Sequence, residues 1–595
     1  MSAIVAILSR TVPPASTTLS RMLAVTPHRG TRTKIHRHGM CGLGIVNRDD
    51  RPESSLAERM GWSVALTGAI DNASALKEEL ARREVPVPDS SSPAHLLLAA
   101  FRTLGEDILP RLRGLFAAVL SDGERLWCFR DHLGFRLLFY RDEPGGVFVG
   151  TEAKQVAVGA GLSREPDTEV LEHIFYGDYD DDTPAALKGI RRLPKASLLT
   201  ADRERTRLSV YWDPTDYLET APPAPRDVPE LFDGLMRQAA TRAVSGLDLI
   251  SLSGGVDSPA VAAYAAPAHL EMSGRPLTAF TAVFPDLPAV DESGYTRAVA
   301  EFLRIPLHTY VKAARPLDRL QEWVRLLDGP VPQILITDAE EHFLEARRLG
   351  FRTMLTGEVA EFLTDKRGYL TPHLLWRGRF GALWRRIRYQ RERESSAAAI
   401  IRQLLSTFVP ASLEAALLRR RGYRVRPEIP QWVDAGRVNG VAAAYLVPAR
   451  HRWRRSQLAG FLGPGLSMEA NEIVQAICGV RVRMPWADLD LWEFFLRLPA
   501  EMKFPDAWRK GLVRRLLRGK VPDVILDRRD KTVFDDSMLA RVDYADLARW
   551  LVNPPHRVAG IRYDLLAERL AQRNLTIREF IWAKDLAAIH AFLVS

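Results

Sequence analysis

The residues best suited to chemistry lie in the stretch LISLSGGVDSPAVAAYAA, residues 249–266. Two glycines follow an apolar run there, between Ser253 and Ser258, and an alanine-rich stretch comes next. Glycines at a strand-to-helix turn let successive backbone amides converge on an anion, and the helix N-terminus adds to the attraction. Asp257 would itself repel a phosphate, so we interpret it as a ligand of a magnesium ion that also binds phosphate oxygens. The stretch therefore predicts a phosphate-binding loop rather than a plain glycine-rich turn, although it lacks the Gly-Lys-Ser/Thr ending of the Walker motif.

The elements around this loop indicate what positions it. Short apolar runs alternate with helical patterns after residue 230, and the runs are LDLISLS, LTAFTAVF, IPLHTYV and RTMLTG. Strands that alternate with helices predict a parallel sheet with crossover helices. Ligands of such sheets bind at the carboxyl ends of the strands, which is where the glycine loop lies.

The first 210 residues show a different pattern. Segments such as WSVALTGAID and LLFYRDEPGGVFVG alternate apolar and polar residues between turn residues, which indicates antiparallel strands. Helical stretches such as SPAHLLLAAFRTLGEDI interrupt them, so we expect a layered α+β domain. The proline-rich APPAPRDVP, residues 221–229, then reads as a linker.

Bulk properties limit the class of protein. The 595 residues exceed what one hydrophobic core holds, so two or three domains are expected, and no apolar run is long enough to predict a membrane span. The N-terminus lacks the basic region of a secretion signal. The net charge of +9 favours solubility over binding to nucleic acid. The dispersed cysteines Cys41, Cys128 and Cys478 indicate buried thiols in a reducing compartment, so we expect a cytoplasmic protein.

The string SGGVDS resembles the pyrophosphate-binding loop of the asparagine synthetase family, which are ATP pyrophosphatases that form acyl-adenylates. The resemblance continues in order along the chain through GLFAAVLSDGERLWCFRDHLGFRLLFY, VDESGYTRAVAEFL, LTGEVAEF, VRMPWADLDLWEFFLRLP and RRDKTVF. It implies an α+β N-terminal sandwich of the Ntn glutaminase type, followed by an α/β parallel-sheet ATP-pyrophosphatase domain with a helical insertion.

The resemblance also implies a domain organisation. Residues 1–215 are expected to form the glutaminase-like domain, residues 216–229 the linker and residues 230–595 the ATP-binding synthetase domain. A basic helical insertion is expected over about 370–465, because residues 376–426 hold 13 arginines against three acids at helical spacing.

A set of nucleotide-binding residues follows from the family pattern. The positions that the resemblance assigns to ATP and pyrophosphate are Ser251, Leu252, Ser253, Gly254, Gly255, Asp257, Ser258, Val283, Thr356 and Gly357. Asp257 and Glu361 are the predicted magnesium ligands. Lys531 is the predicted catalytic cation, since a fixed ammonium stabilises the negative charge of the adenylation transition state, and Lys510 is a weaker candidate. Glu358 is the candidate catalytic base.

Two places depart from the family pattern. In LTGEVAEF, Val359 and Ala360 replace small polar residues, and Glu361 stands where an aspartate is usual, so the loop offers fewer hydrogen-bond donors. In MSAIVAIL, Ser2 occupies the place of the cysteine that attacks glutamine in glutamine-using members. A serine hydroxyl is far less acidic than a thiol, so we expect the glutaminase domain to be inactive. The nitrogen nucleophile would then not be ammonia released from glutamine but an amine already present in a substrate.

Family members without that cysteine join a carboxylate to an amine of the same substrate. The chain resembles lasso-peptide cyclases most closely, which implies ATP- and Mg²⁺-dependent adenylation of an Asp or Glu side chain in a precursor peptide, then attack by its N-terminal amine. The implied partners are the precursor, a leader-recognition protein and a leader peptidase. One alternative is an ammonia-dependent asparagine synthetase. A second is a β-lactam synthetase, although the resemblance to that branch implies a tyrosine where this chain has Glu358. A third is a non-catalytic peptide-binding scaffold.

Overall fold

The structure is a computed structural model. It describes residues 2–48, 55–88, 92–176, 184–218, 220–330, 335–365, 369–393, 396–410, 412–413, 429–438, 453, 456–458, 465–505, 508–530, 532–554 and 556–595. None of the helices in these ranges has the length and apolar character that crossing a membrane requires.

The N-terminal part is built from short strands with a few helices. The strands are β1 (Ala3–Ser9), β2 (Arg32–His38), β3 (Cys41–Asn47), β4 (Ser55–Arg59), β5 (Trp62–Gly68), β6 (Phe116–Ser121), β7 (Leu126–Arg130), β8 (Phe139–Glu143), β9 (Gly146–Gly150), β10 (Arg191–Arg192), β11 (Ser197–Ala201) and β12 (Thr206–Val210). The helices are α1 (Ser16–Ala24), α2 (Ala73–Arg82), α3 (Pro93–Leu104), α4 (Ala153–Gly159), α5 (Thr168–Tyr176) and α6 (Thr215–Leu218).

These strands form two antiparallel sheets that pack face to face. The strand orders are β10-β8-β9-β1-β3-β2 and β12-β11-β7-β6-β5-β4. Successive side chains of a strand point to opposite faces. On β1, Ile4, Ala6 and Leu8 therefore pack against the second sheet, whereas Ala3, Val5 and Ile7 pack against α1. Helices α2 and α3 cover the outer face of the second sheet. The domain is thus a four-layer sandwich, in which β1 is buried on both faces.

The C-terminal part alternates strands and helices around one sheet. The elements are α7 (Val228–Ala243), β13 (Asp248–Ser251), α8 (Asp257–Ser273), β14 (Thr278–Val283), α9 (Ser293–Leu303), β15 (Leu307–Val311), α10 (Leu320–Leu326), α11 (Ile336–Arg348), β16 (Thr353–Leu355) and α12 (Ala360–Thr364). The described helices of the region expected to form the insertion are α13 (Leu370–Trp376), α14 (Phe380–Arg393) and α15 (Ala397–Ser406).

The remaining elements complete the sheet and cover it. They are α16 (Gly465–Cys478), β17 (Arg481–Arg483), α17 (Leu489–Arg497), α18 (Ala500–Lys503), α19 (Gly511–Leu516), α20 (Asp523–Leu526), α21 (Asp535–Leu539), α22 (Tyr544–Leu551), α23 (Tyr563–Ala571) and α24 (Ile577–Leu593). The strand order is β15-β14-β13-β16-β17, and each of these neighbouring pairs is parallel. The sheet is centred on β13, whose Leu249 and Ile250 are fully buried because helices cover both faces.

Buried charges join the two domains. The guanidinium of Arg29 contacts Glu152 at 2.6 Å in its own domain and Glu472 of α16 at 2.8 Å, and all three side chains are almost inaccessible to solvent. Arg192 on β10 likewise pairs with Glu469 of α16. Removing one partner of such a pair would leave a buried charge without compensation, so these contacts fix the orientation of α16 against the sandwich.

Candidate active site

The glycine loop lies between the end of β13 and the start of α8. The backbone N–H of Ser253 donates to the Ser258 hydroxyl at 2.9 Å, and the hydroxyls of Ser253 and Ser258 lie 3.1 Å apart. Ser258 is buried in the first turn of α8, so its side chain closes the loop back onto the helix. The two serines therefore hold the loop in a fixed shape at the carboxyl edge of the central strand.

A carboxylate already contacts the loop. The N–H of Gly254 donates to Glu292 Oε2 at 2.8 Å, and Arg528 donates to Glu292 Oε1 at 2.8 Å and to the carbonyl of Gly254 at 2.9 Å. A Cβ at position 254 would lie 2.3 Å from the Arg528 guanidinium, so a larger residue would require Arg528 to move away from the loop. The loop amide thus donates to an anionic oxygen, and a phosphate that binds there has to displace Glu292.

Asp257 begins α8 and points into the same space. Its Oδ2 pairs with the ammonium of Lys510, whereas its buried Oδ1 has no hydrogen-bond partner among the described residues. The indole Nε1 of Trp486, which does not line the cavity, donates to the Asp257 backbone carbonyl at 3.1 Å and holds the start of α8 in place. A buried carboxylate oxygen without a partner costs free energy, so it fits a cation that enters with a ligand.

The second loop, Thr356–Gly357–Glu358, packs directly on the first. A Cβ at Gly357 would lie 2.4 Å from the backbone nitrogen of Ser258 and 2.7 Å from the carbonyl carbon of Asp257. The next residue, Val359, is buried with a φ of +65°, which is a strained conformation for a β-branched residue. Packing around Val359 therefore holds its backbone in a conformation that a valine would not adopt by itself.

Glu358 ends this loop, and a second carboxylate, Glu361, follows three residues later. Desolvation by the surrounding protein, together with the negative charge of Glu361, raises the pKa of Glu358 to about 7, although the residue is exposed to solvent. Thr356 donates weakly to Glu358 at 3.4 Å. A carboxylate with this pKa exchanges protons near neutral pH, which is the property a general base requires.

The loops and the C-terminal helices enclose a cavity of about 270 Å³. The predicted site residues that line it are Ser253, Gly254, Gly255, Asp257 and Glu361. The other lining residues are Val256, Glu292, Trp508, Arg509, Lys510, Arg514, Arg528, Arg529, Asp530, Thr532 and Phe534. Four arginines and one lysine thus line the cavity together with five loop residues and four carboxylates, so the cavity is suited to a polyanionic ligand that binds with a divalent cation.

Several predicted residues lie nearby without lining this cavity. The hydroxyl of Ser251 is 2.8 Å from His342 Nε2, and Leu252 is buried in the core. Val283 ends β14, and its carbonyl accepts from the N–H of Lys312 at 3.2 Å. Ser258, Thr356 and Gly357 contact other residues of the two loops and do not line the cavity. Lys531 lies outside the described residues, so its predicted role stays a prediction.

The strongest contacts that sequence reasoning missed involve distant residues. Arg528 and Glu292 are 236 positions apart; both lie in segments covered by the family resemblance, but neither was assigned a role. Lys510, the weaker candidate, is the residue that pairs with Asp257. The segment RRDKTVF was predicted to belong to the site, but the role was assigned to Lys531 and none to Arg528. The Arg528 guanidinium lines the cavity and lies 4.1 Å from the centre of the Tyr295 ring.

The carboxylates of the cavity fit magnesium. Asp257 and Glu361 supply the hard oxygen ligands that Mg²⁺ prefers, and the free Oδ1 of Asp257 is available without breaking a hydrogen bond. Among the ranges described, no cluster of three or more histidine, cysteine or carboxylate side chains forms a complete metal site. The fit therefore requires oxygens from the ligand, as is usual for Mg²⁺ bound with phosphates.

Fold and site define a two-domain protein, in which an antiparallel sandwich precedes a parallel sheet with a glycine loop and a cationic cavity at its edge. The asparagine synthase family model matches residues 234–591, and the model of the glutamine amidotransferase domain matches residues 1–212. The chain belongs to the asparagine synthase family and is an ATP-dependent, AMP-forming carbon–nitrogen ligase.

Individual proteins are similar over large parts of the chain. Glutamine-hydrolysing asparagine synthetase 3 of Bacillus subtilis strain 168 is 26% identical over 490 residues, 79% of this chain and 74% of that protein. Amidase chyE of Penicillium rubens is 26% identical over 291 residues, 46% of this chain and 42% of that one. The solved glutamine phosphoribosylpyrophosphate amidotransferase of B. subtilis aligns with a TM-score of 0.29 and 13% identity, over 60% of this chain and 91% of that one.

Proposed function

We propose that this ligase is a lasso-peptide cyclase, which closes a macrolactam between an Asp or Glu side chain and the N-terminal amine of a precursor peptide. The observation that carries the proposal is the cavity at the edge of the sheet, where a bare loop, an unpartnered Asp257 oxygen and five cations meet. That arrangement suits ATP. The basic helical region beside it suits a substrate much larger than an amino acid.

An inactive N-terminal domain supports the proposal. Ser2 is buried, and its hydroxyl donates to the Thr67 hydroxyl at 2.8 Å. The cysteines of this domain, Cys41 and Cys128, are buried on strands, and burial raises the pKa of Cys41 to about 12 and raises that of Cys128 as well. Both thiols are therefore protonated and non-nucleophilic at neutral pH. Without a thiolate to hydrolyse glutamine, the nitrogen nucleophile is the N-terminal amine of the peptide substrate itself.

The proposed reaction has two steps. A carboxylate oxygen of the peptide attacks the α-phosphorus of ATP, and pyrophosphate leaves with the bonding electrons, which gives an acyl-adenylate. The N-terminal amine then attacks the acyl carbon, AMP leaves, and one proton of the amine passes to a base. Holding amine and acyl carbon together supplies an effective concentration that contributes roughly 7–11 kcal/mol to lowering the barrier.

Several cavity residues, together with Glu358 of the second loop, have a place in these steps. The Gly254 and Gly255 amides and the Arg528 guanidinium would bind phosphate oxygens, after Glu292 turns away. Lys510 would neutralise the departing pyrophosphate. Bound Mg²⁺ would supply charge neutralisation between the phosphates and the carboxylates of Asp257 and Glu361. Glu358 would accept the amine proton, because its raised pKa gives it a measurable affinity for a proton at neutral pH.

The test is mass spectrometry of a candidate precursor core peptide after incubation with the full-length protein, ATP and Mg²⁺. The proposal predicts AMP, pyrophosphate and a peptide lighter by the mass of one water. Its control is the same peptide with the acceptor Asp or Glu replaced by Asn or Gln, which should remain unchanged. Loss of water from that control, or no loss from any acidic candidate with ATP turnover intact, contradicts a cyclase. A leader-recognition protein and a leader peptidase are the proposed partners, and adding them should increase the yield from uncleaved precursor.

An ammonia-dependent asparagine synthetase is the second candidate, favoured by the likeness to asparagine synthetase 3 of B. subtilis. It predicts asparagine from ATP, aspartate and ammonium, without any peptide. A β-lactam synthetase is less well supported, because position 358 is a glutamate. A non-catalytic scaffold predicts peptide binding without pyrophosphate release.

Replacing Glu358 by glutamine separates the two steps. We expect Glu358→Gln to slow product formation about 10²-fold or more, because the amine loses its proton acceptor, while the first turnover of pyrophosphate is retained. Rapid-quench measurement of pyrophosphate and product checks this expectation. Glu301→Gln, on the exposed face of α9, is the matched control and should behave as the wild type. Equal losses in both steps would instead assign Glu358 to nucleotide binding.

A further inference from the structure

A second, larger cavity lies outside the nucleotide site. It has a volume of about 590 Å³ and lies between α13, the end of α17 and α18. Its charged and aromatic lining residues are His373, Trp376, Arg377, Arg379, Trp453, Arg497, Glu501 and Lys503. This volume is within the range of about 300–1,000 Å³ that is typical of ligand sites.

The cavity contains a buried cation that has no counter-ion within the described part of the chain. Lys503 is 4% exposed, and its ammonium donates to the side-chain oxygen of Gln457 at 2.7 Å. No carboxylate of the described chain lies within ion-pair distance of it. A neutral amide compensates a buried ammonium poorly, and burial lowers the pKa of Lys503 to about 7.

The other charges around the cavity increase this imbalance. Glu501 is engaged by Arg379 at 2.9 Å. Arg377 and Arg497 are exposed, and within the described ranges neither forms an ion pair. Burial and the nearby Arg377 lower the pKa of His373 to about 4, so this imidazole is neutral at physiological pH. An incoming carboxylate therefore meets an excess of positive charge, with Lys503 at its buried end.

We propose that this cavity, which we call the Lys503 groove, binds a carboxylate of the peptide substrate other than the one that reacts. The inference rests on the proposed cyclase function and specifies its substrate as an acidic peptide. Half-exposed Trp376 and buried Trp453 offer apolar contacts in the same groove, which can therefore hold several residues of an extended chain.

The position of the groove suits such a peptide. Trp508 lines the nucleotide cavity and is five residues beyond Lys503, so their Cα atoms are at most ~18 Å apart. An extended peptide covers that distance with about five or six residues. One carboxylate can therefore occupy the groove while another residue of the same peptide reaches the nucleotide.

The test measures peptide binding without ATP, by fluorescence anisotropy with the full-length protein. The probes are a fluorescein-labelled hexapeptide that contains three glutamates and its counterpart with glutamines. The glutamate probe should bind wild type about tenfold or more tightly than the glutamine probe, and Lys503→Met should remove this difference while leaving the glutamine probe and Mg·ATP unaffected. Lys503→Gln gives a second neutral variant in case the methionine impairs folding.

Arg385→Met is the matched control, since it removes one positive charge from the exposed surface of α14. It should leave the preference for glutamate intact. If Lys503→Met and Arg385→Met weaken the glutamate probe equally, the groove is not the binding site. If millimolar free aspartate displaces the probe fully, the groove takes a small amino acid, which overturns the peptide assignment.

The pH dependence provides an independent readout. The probe carboxylates are ionised throughout pH 6–8.5, whereas Lys503 in the empty groove loses its proton above about 7. Binding requires the ammonium form, so affinity should fall about tenfold between pH 6 and 8 in wild type and stay flat in Lys503→Met. A flat wild-type profile overturns the proposal. Because no ligase step is involved, failure of this test is distinguishable from failure to cyclise a peptide.

Discussion

Asp257→Asn is expected to abolish ATP-dependent pyrophosphate release, with a loss on the order of 10³-fold in kcat/KM. The substitution keeps the size of the side chain but removes the charge that Mg²⁺ needs, and it leaves the Lys510 ammonium without its carboxylate. The hydrogen bond from Trp486 goes to the backbone carbonyl and persists, so folding should be preserved. A coupled pyrophosphate assay over a range of Mg²⁺ concentrations and circular dichroism provide the two measurements.

The control for this variant is Asp564→Asn. Asp564 is exposed in the first turn of α23, far along the chain from either loop, so its replacement should leave pyrophosphate release unchanged. Full activity of Asp257→Asn would discard the assignment of Asp257 as a metal ligand. A loss accompanied by a changed circular dichroism spectrum would instead assign Asp257 a structural role.

Gly357→Ala should have the second-largest effect, because it acts on both loops at once. The added Cβ would lie within 2.4 Å of the Ser258 nitrogen, a backbone atom that no rotamer change can move. The two loops must therefore separate, at a cost of about 1–3 kcal/mol in the free energy of unfolding. We also expect pyrophosphate release to fall by about tenfold or more, since a shift of about 1 Å at a positioned site is enough to do so. Thermal denaturation and the same coupled assay test both parts.

Gly234→Ala is the matched substitution. Gly234 lies inside α7, and a Cβ there would meet no atom within 4 Å. Alanine is the better helix former, so this variant should gain about 0.5–1 kcal/mol in the free energy of unfolding, with unchanged activity. If the two alanine variants were equally stable, the close contact between the loops would not exist as described.

The parallel sheet illustrates how much of the fold the sequence carried. The runs that predicted strands correspond to β13, β14, β15 and β16. The central strands β13 and β16 are buried and apolar because helices cover both faces of the sheet, whereas β15 is a largely exposed edge strand. The strand β17 was missed, since Arg481–Arg483 is short and two of its three residues are charged. Arg483 is compatible with the sheet because its guanidinium donates to Asp71 of the other domain and to the carbonyl of Arg242, each at 2.7 Å.

The candidate site divides in the same way. The glycine loop could be predicted because its chemistry lies within six consecutive residues. The pairing of Asp257 with Lys510, and that of Arg528 with Glu292, could not, because each joins residues more than 200 positions apart. The left-handed backbone of Val359 was also unpredictable, since a β-branched residue adopts it only when its packing compensates the strain.

The sequence by itself determined the strand-to-helix turns, the bare loop and the substitution of serine at position 2, since these depend on residues that are neighbours in the chain. The tertiary structure decided which cations face the loop, which carboxylate is left with a free oxygen, and that Lys503 is buried with no counter-ion among the residues that the structure describes. The reason is physical. Local conformation depends on the side chains of a few adjacent residues, whereas the energy of a charge depends on how far it is removed from water and on which opposite charges the fold brings near it.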